Sequence, residues 1–140
     1  MYNVMIVDDS EDQRLLLRNK LGSTGLFRIV SEAGDGEGAI DYLGGVDCFS
    51  NRQMFPVPDV VLLDLRMPRV DGFEVLTWLR LRQFKGMKVI VLSTSELEED
   101  IAKAKNHGAD AYVVKGPMNE VAAEILEILM GLAKRPGLRR

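Results

Sequence analysis

Five short apolar runs, each followed by a segment with helical periodicity, account for most of the sequence. The runs are rich in Val and Ile, which favours strands, and they lie at residues 3–7, 27–31, 59–63, 88–92 and 110–114. Helical segments follow at about 11–22, 36–43, 73–83, 96–107 and 118–132. Most of the runs are too continuously apolar for a sheet with one wet face. This (βα)₅ alternation predicts an α/β fold, a doubly wound parallel five-stranded sheet covered by helices on both faces.

Glycines punctuate the ends of four of the predicted helices. We expect them to adopt the left-handed conformation that commonly caps a helix C-terminus, at Gly22, Gly44, Gly86 and Gly108.

The length of 140 residues suits one domain that folds without disulfides or a structural metal. The single cysteine, Cys48, cannot form an internal bridge and indicates a reducing compartment, which predicts a cytoplasmic protein. No apolar run approaches the ~20 residues of a membrane span, and the N-terminus lacks the basic region of a signal peptide. We therefore expect neither membrane insertion nor secretion.

The formal net charge of −3 hides an asymmetry between the body and the end of the chain. Residues 134–140 hold four of the 18 basic side chains and none of the 21 acidic ones, which leaves −7 on residues 1–133. A body this negative would repel a phosphate backbone, so we expect no direct nucleic-acid binding by the domain. We interpret 1–133 as the domain and 134–140 as a solvated tail or the start of a linker, with a short contact element as the alternative.

The chemistry-bearing side chains follow the predicted strands. Asp8 and Asp9 come after the first strand, Asp64 after the third, Ser93 at the end of the fourth and Lys115 after the fifth. The carboxyl ends of parallel strands meet at one edge of a sheet, which is where ligands bind in this fold class. Carboxylates packed together need a cation, and Mg²⁺ prefers oxygen ligands and retains room for a phosphoryl oxygen.

This arrangement predicts a phosphate-handling site in which Asp64 is the nucleophile, at the end of an apolar strand. Lys115 would offset phosphoryl charge and Ser93 would donate a hydrogen bond. Taken singly, each residue has a plainer interpretation, because Asp8-Asp9 could simply precede a helix cap and Lys115 could be a solvated turn residue. A nucleotide-binding domain is disfavoured because the first loop reads DDSED, and an aspartyl phosphatase because position 66 is arginine.

Four segments carry a specific resemblance. The strand ending in Asp8-Asp9, VVLLDLRMPRVDG, VIVLSTS and GADAYVVK, in this order and spacing, resemble the receiver domain of two-component response regulators over residues 2–133. The long connection over residues 44–58, preceded by AIDYL, resembles the single-domain regulators associated with bacterial phytochromes.

The resemblance implies a flavodoxin-like sheet in the order 2-1-3-4-5 and a signalling function without enzymatic turnover. Asp64 would accept a phosphoryl group from a sensor histidine kinase or a phosphotransfer protein. Asp9 would bind Mg²⁺ directly and Asp8 largely through water, with the backbone carbonyl of Arg66 as a further ligand. Ser93 would be the switch hydroxyl and Tyr112 the aromatic side chain that responds to it.

The sequence departs from the family pattern after the lysine. The family has proline directly after it, joined by a cis bond, whereas here Gly116 stands between Lys115 and Pro117. Because a cis bond to a non-proline residue costs about 2.5–4 kcal/mol, the loop is either trans and shifted or strained. This departure leaves one alternative open, a pseudo-receiver that is never phosphorylated and acts as an interaction module. In the segment after Asp64, Gly72 is expected at a position with positive φ.

The last helix has a broad apolar surface. The predicted core stripe consists of Val121, Ile125, Ile128, Leu129 and Leu132. A second apolar arc beside it consists of Ala123, Leu126, Met130 and Ala133. So wide a surface suits either a homodimer formed through this helix or a monomer with a broad buried stripe.

Overall fold

The predicted alternation of strands and helices is present throughout the described chain. The structure, a computed structural model, describes the backbone of residues 1–134 and the side chains of residues 1–131. The strands are β1 (Tyr2–Val7), β2 (Phe27–Ala33), β3 (Val60–Asp64), β4 (Lys88–Ser93) and β5 (Ala111–Val114). The helices are α1 (Glu11–Gly22), α2 (Gly36–Leu43), α3 (Gly72–Arg82), α4 (Glu98–Asn106) and α5 (Met118–Lys134). A short 3-10 helix, Asp47–Ser50, lies between α2 and β3.

All strand pairs are parallel, and the order β2-β1-β3-β4-β5 confirms the expected topology. The order reverses between β1 and β3, which lie next to each other although β2 separates them in sequence. The carboxyl ends of these two strands therefore border the crevice where such sheets bind ligands.

Alternate residues of the inner strands contribute to two core layers, one on each face of the sheet. Val4 and Ile6 of β1 belong to the layer that packs under α1 and α5. Met5 and Val7 belong to the layer under α2, α3 and α4. β3 is buried along its whole length, which explains its unbroken apolar sequence.

Two of the four glycine predictions at the helix ends are confirmed and two are wrong. Gly86 and Gly108 have positive φ, at 78° and 102°. Gly22 is instead the last residue of α1, and Gly44 has a φ of −77° because its N–H continues the helix by donating to the Ile40 carbonyl. The left-handed residue after α2 is consequently the next one, Gly45.

Gly72 is also required for a different reason from the one predicted. It is absent from the positive-φ residues, and Arg69 takes the left-handed conformation in this loop. A Cβ at Gly72 would lie 2.5 Å from the Asp64 carbonyl oxygen and 2.6 Å from the Leu65 Cα. The glycine is needed because the start of α3 packs directly on the backbone that carries Asp64.

The predicted core stripe of α5 is buried at every position whose side chain is described, namely Val121, Ile125, Ile128 and Leu129. In the second arc, Ala123 and Met130 are exposed and Leu126 is half-buried. The predictions for Leu132, Ala133 and the basic tail fall on side chains or residues outside the described part of the chain. Among the described helices there is none with the length and hydrophobicity to cross a membrane.

The close approach at Gly72 predicts a large effect of one methyl group. Gly72→Ala is expected to lower the free energy of unfolding by about 1–3 kcal/mol, because backbone atoms must move to admit the Cβ. Gly22→Ala, where a Cβ meets nothing within 4 Å, is the matched control and is expected to be neutral or to stabilise by up to about 1 kcal/mol. Urea unfolding measures both, and equal effects would contradict the packing argument.

Candidate functional site

The carboxyl edge of the sheet brings the predicted site residues together. Asp8 follows β1, Asp64 ends β3, Ser93 ends β4 and Lys115 follows β5. Asp8, Asp64 and Ser93 are buried, with 5%, 8% and 1% exposure, whereas Asp9 is exposed. The strands, which are anchored in both core layers, hold these side chains at fixed positions.

Three carboxylates form an acidic cluster at this edge. One oxygen each from Asp8, Asp9 and Asp64 lies within 4.8 Å of the others. Two buried carboxylates, Asp8 and Asp64, and one exposed carboxylate, Asp9, together suit a hard divalent cation that keeps part of its water shell. The donor set therefore fits Mg²⁺.

Lys115 supplies the positive charge in the cluster. Its Nζ donates to Asp8 Oδ2 at 2.8 Å and lies 3.7 Å from Asp64 Oδ2, with only 13% of the side chain exposed. One ammonium among three carboxylates leaves the cluster with excess negative charge, so it still favours a cation.

The insertion of Gly116 does not displace Lys115. No peptide bond among the described residues is cis, so the Lys115–Gly116 bond is trans. The Lys115 N–H donates to the Ser93 carbonyl at 2.8 Å, which extends the pairing of β4 with β5 by one residue. The trans form of the loop thus brings the ammonium to the carboxylates.

Asp8 is held by contacts that the sequence did not reveal. Its Oδ1 accepts a hydrogen bond from the Ser10 N–H at 2.9 Å, and its carbonyl accepts one from Arg14 Nη1 at 2.6 Å. Arg14 Nε also contacts Glu32 of β2 at 3.3 Å. Ser10 caps α1 through the Gln13 N–H, so the Asp8–Asp9 turn is also the entry to the helix. No spacing rule links Arg14 to Asp8, because the contact depends on the path of this turn.

Burial raises the pKa of Asp64 above its ordinary value. The nearby Lys115 ammonium and the Arg66 N–H, which donates to Asp64 Oδ1 at 3.3 Å, lower the pKa, and the Asp8 and Asp9 carboxylates raise it. Burial and the like charges outweigh the two stabilising partners. The Asp64 carboxylate is therefore destabilised when no cation balances the cluster.

The two predicted switch residues meet at a third residue, Ser95. Ser93 Oγ accepts a hydrogen bond from the Ser95 N–H at 3.1 Å, and the Tyr112 hydroxyl donates to the Ser95 carbonyl at 2.9 Å. Tyr112 is fully buried. Ser95 was not predicted at this position, because it meets Ser93 and Tyr112 through backbone atoms, which residue type does not indicate.

Arg66 lies where the family pattern places a metal-ligating carbonyl, two residues after Asp64. Its side chain is 68% exposed and extends to Asp100 at the start of α4, with 3.3 Å between Nη2 and Oδ2. The role of its carbonyl stays a prediction.

The fold and this site together define a receiver-type signalling domain. The family model for the response regulator receiver domain matches residues 4–127, and the chain belongs to this family. The resemblance found in the sequence is thereby confirmed.

Two curated relatives show how much of a longer protein the chain corresponds to. It is 30% identical over 145 residues to the probable methanogenesis regulatory protein FilR2 of Methanothrix harundinacea, covering 97% of this chain and 88% of FilR2. It is 32% identical over 112 residues to the nitrate/nitrite response regulator protein NarL of Escherichia coli, covering 80% of this chain and 47% of NarL. The chain thus spans about half the length of NarL.

Several solved structures combine fold similarity with 25% identity or more, and three of them come from response regulators of different systems. The response regulator RPA3017 in red light signalling of R. palustris has a TM-score of 0.77 and 32% identity, over 94% of this chain and 93% of that one. The phosphorylated cyanobacterial phytochrome response regulator RcpA has 0.77 and 28%, over 96% and 94%. CheY of Borrelia burgdorferi, in a complex with CheX, BeF₃⁻ and Mg²⁺, has 0.74 and 28%, over 94% and 89%.

The raised pKa of Asp64 predicts that its neutralisation stabilises the metal-free protein. A buried carboxyl with a raised pKa favours the folded state at low pH and loses that contribution as pH rises through the pKa. In a chelating buffer at pH 7, Asp64→Asn should therefore raise the melting temperature by several degrees, and the gain should shrink towards pH 4.

Thermal unfolding at the two pH values measures this effect. Glu96→Gln, at an exposed position in the loop before α4, is the control and should change the melting temperature little at either pH. An Asp64→Asn protein that is less stable than wild type at pH 7 would contradict the electrostatic account.

Proposed function

We propose that the protein is a phosphoacceptor receiver, in which Asp64 takes a phosphoryl group from a phosphohistidine of a sensor histidine kinase or phosphotransfer protein. One observation carries the proposal. The buried Asp64 carboxylate lies in a cluster with two further carboxylates and one ammonium, at the carboxyl edge of the sheet. The same proposal makes the domain a signalling module without turnover of an external substrate, and places it in the cytoplasm with its kinase.

The residues divide the transfer between them. An Asp64 carboxylate oxygen attacks phosphorus in line with the phosphorus–nitrogen bond of the donor, which breaks and returns its electron pair to the imidazole. The Lys115 ammonium, 3.7 Å from Asp64 Oδ2, offsets the charge of the transferred group. Ser93 Oγ, which now accepts a hydrogen bond from the Ser95 N–H, would donate its own O–H to a phosphoryl oxygen.

The acidic cluster would hold Mg²⁺, which supplies positive charge for the phosphoryl oxygens when it is bound. Asp9 and Asp64 would bind the ion directly, Asp8 largely through water, and the Arg66 carbonyl would complete the protein ligands. The exposed position of Asp9 suits an ion that enters from solvent and keeps several waters.

Output would follow from the hydrogen bonds at Ser95. A phosphoryl group that attracts the Ser93 hydroxyl removes the acceptor of the Ser95 N–H, and the Ser95 carbonyl is the acceptor of the Tyr112 hydroxyl. A change at Ser93 therefore reaches β5 and the face formed by α4, β5 and α5. We propose this face as the surface that changes for partner binding.

Phosphorylation is tested with acetyl phosphate and Mg²⁺. We expect intact-protein mass spectrometry to show one adduct of about 80 Da in wild type and none in Asp64→Asn, because the acyl phosphate needs the Asp64 oxygen. Chelation of Mg²⁺ and the Asp9→Asn substitution should each reduce the yield at least tenfold. Asp12→Asn, at an exposed position on α1, is the control and should retain full yield.

The alternative is decided by the same experiment. A wild-type protein that gains no adduct from acetyl phosphate, and none from a histidine kinase, would support the pseudo-receiver.

A homodimer through α5 forms part of the proposal because Met130, at 52% exposure, and the half-buried Leu126 continue the apolar surface beyond the buried stripe. Multi-angle light scattering should give a dimer mass in the presence of BeF₃⁻ and Mg²⁺, and Met130→Lys should return the monomer. Leu81→Lys, at an equally apolar but more exposed position on α3, is the control. A monomer mass both with and without BeF₃⁻ and Mg²⁺ would exclude the dimer.

A further inference from the structure

One carboxylate joins the loop after β3 to the loop after β4. Asp100, in the first turn of α4, is a buried polar residue with 9% exposure. Its Oδ2 accepts a hydrogen bond from Ser95 Oγ at 2.6 Å and another from Arg66 Nη2 at 3.3 Å. Ser95 Oγ in turn accepts one from the Leu97 N–H at 3.2 Å. Asp100 thus holds a neutral partner and a charged partner that lie in the loops after two different strands.

Both partners are close to the phosphoacceptor site. The Arg66 N–H donates to Asp64 Oδ1, so its long, exposed side chain starts beside the carboxylate that would be phosphorylated. Ser95 contacts Ser93 and Tyr112 through its backbone. The network of Arg66, Asp100 and Ser95 therefore lies between the proposed reaction centre and α4.

The two ends of this network differ in strength. The Ser95–Asp100 bond is short and partly buried, whereas the Arg66–Asp100 pair is longer, involves one oxygen and has a mostly exposed guanidinium. Such a pair is weak. A phosphoryl group adds about −1.5 to −2 charge and three acceptor oxygens, which match the donor geometry of a guanidinium better than a single carboxylate oxygen does.

We propose that Asp100 is a positioning residue that competes with the phosphoryl group for Arg66, an inference that rests on the proposed function. In the unphosphorylated protein Asp100 holds the guanidinium over α4. Phosphorylation of Asp64 draws Arg66 to the phosphoryl oxygens and leaves Asp100 with Ser95 alone. The first turn of α4 then loses its connection to the loop after β3, which adds a second route from the site to the proposed output face.

A double-variant cycle tests the competition, with BeF₃⁻ in the presence of Mg²⁺ as the phosphoryl analogue and ¹⁹F NMR to measure its dissociation constant. Asp100→Asn removes the charge that holds Arg66 but keeps an oxygen for Ser95. It should therefore tighten BeF₃⁻ binding about two- to fivefold, the range expected for a partly exposed ion pair. In the Arg66→Gln background the same substitution should have no effect.

The matched control is Arg69→Gln. Arg69 lies three residues further along the same loop, has an equally exposed side chain and pairs with Asp35 at 2.9 Å instead of Asp100. In the Arg69→Gln background, Asp100→Asn should tighten BeF₃⁻ binding as it does in wild type.

The possible outcomes separate the two proposals. Wild-type protein that neither binds BeF₃⁻ nor accepts a phosphoryl group overturns the proposed function and the competition with it. Normal binding in wild type, with an Asp100→Asn effect that is equal with and without Arg66, overturns the competition alone. If Asp100→Asn does not fold, Arg66→Gln alone tests the competition, because its exposed position tolerates substitution. Loss of the guanidinium should weaken BeF₃⁻ binding about two- to fivefold. An unchanged dissociation constant overturns the competition.

Discussion

The electrostatic repulsion among three carboxylates at the edge of a buried sheet is the constraint on which the rest of the site depends. Asp8 and Asp64 end or follow strands that are packed on both faces, so neither side chain can retreat to bulk water without moving the core. Their mutual repulsion is offset by Lys115, by N–H donors from Ser10 and Arg66, and by the open position of Asp9. The three carboxylates and one ammonium leave excess negative charge at this edge, which favours the binding of a cation.

The sequence was sufficient for those parts of the molecule that depend on periodicity and on strand order. Unbroken apolar runs indicated strands buried on both faces, and the residues that follow them had to meet at one edge. The position of Lys115 beside the carboxylates also followed, and the peptide bond between Lys115 and Gly116 is trans. The prediction of a positive φ at Gly72 was wrong, because a close backbone approach leaves no mark on the sequence that distinguishes it from a positive φ.

The contacts of Arg14, Ser95 and Asp100 could not be predicted for a different reason. Their partners lie between five and 34 positions away with no fixed spacing, and each contact involves a backbone atom or a side chain whose direction is set by a loop. Residue type alone gives Asp100 the properties of an ordinary acidic residue in the first turn of a helix, where it is favoured by the helix dipole. Only its burial and its two partners distinguish it from its exposed neighbours Glu98 and Glu99.

The position of Lys115 determines which carboxylate its ammonium neutralises in the metal-free protein. Its ammonium is closer to Asp8 than to Asp64, at 2.8 Å against 3.7 Å, so in the metal-free protein it mainly neutralises the carboxylate that would hold Mg²⁺ through water. In the proposed function, a divalent cation beside Asp8 would make that neutralisation unnecessary, while a phosphoryl group on Asp64 would create a new demand for positive charge. The ammonium and the Arg66 guanidinium would then move in the same direction, from a carboxylate towards the phosphoryl oxygens. Two cations that leave separate acidic partners for one new anion would link phosphorylation of Asp64 to the loop before α5, which carries Lys115, and to the first turn of α4, which carries Asp100.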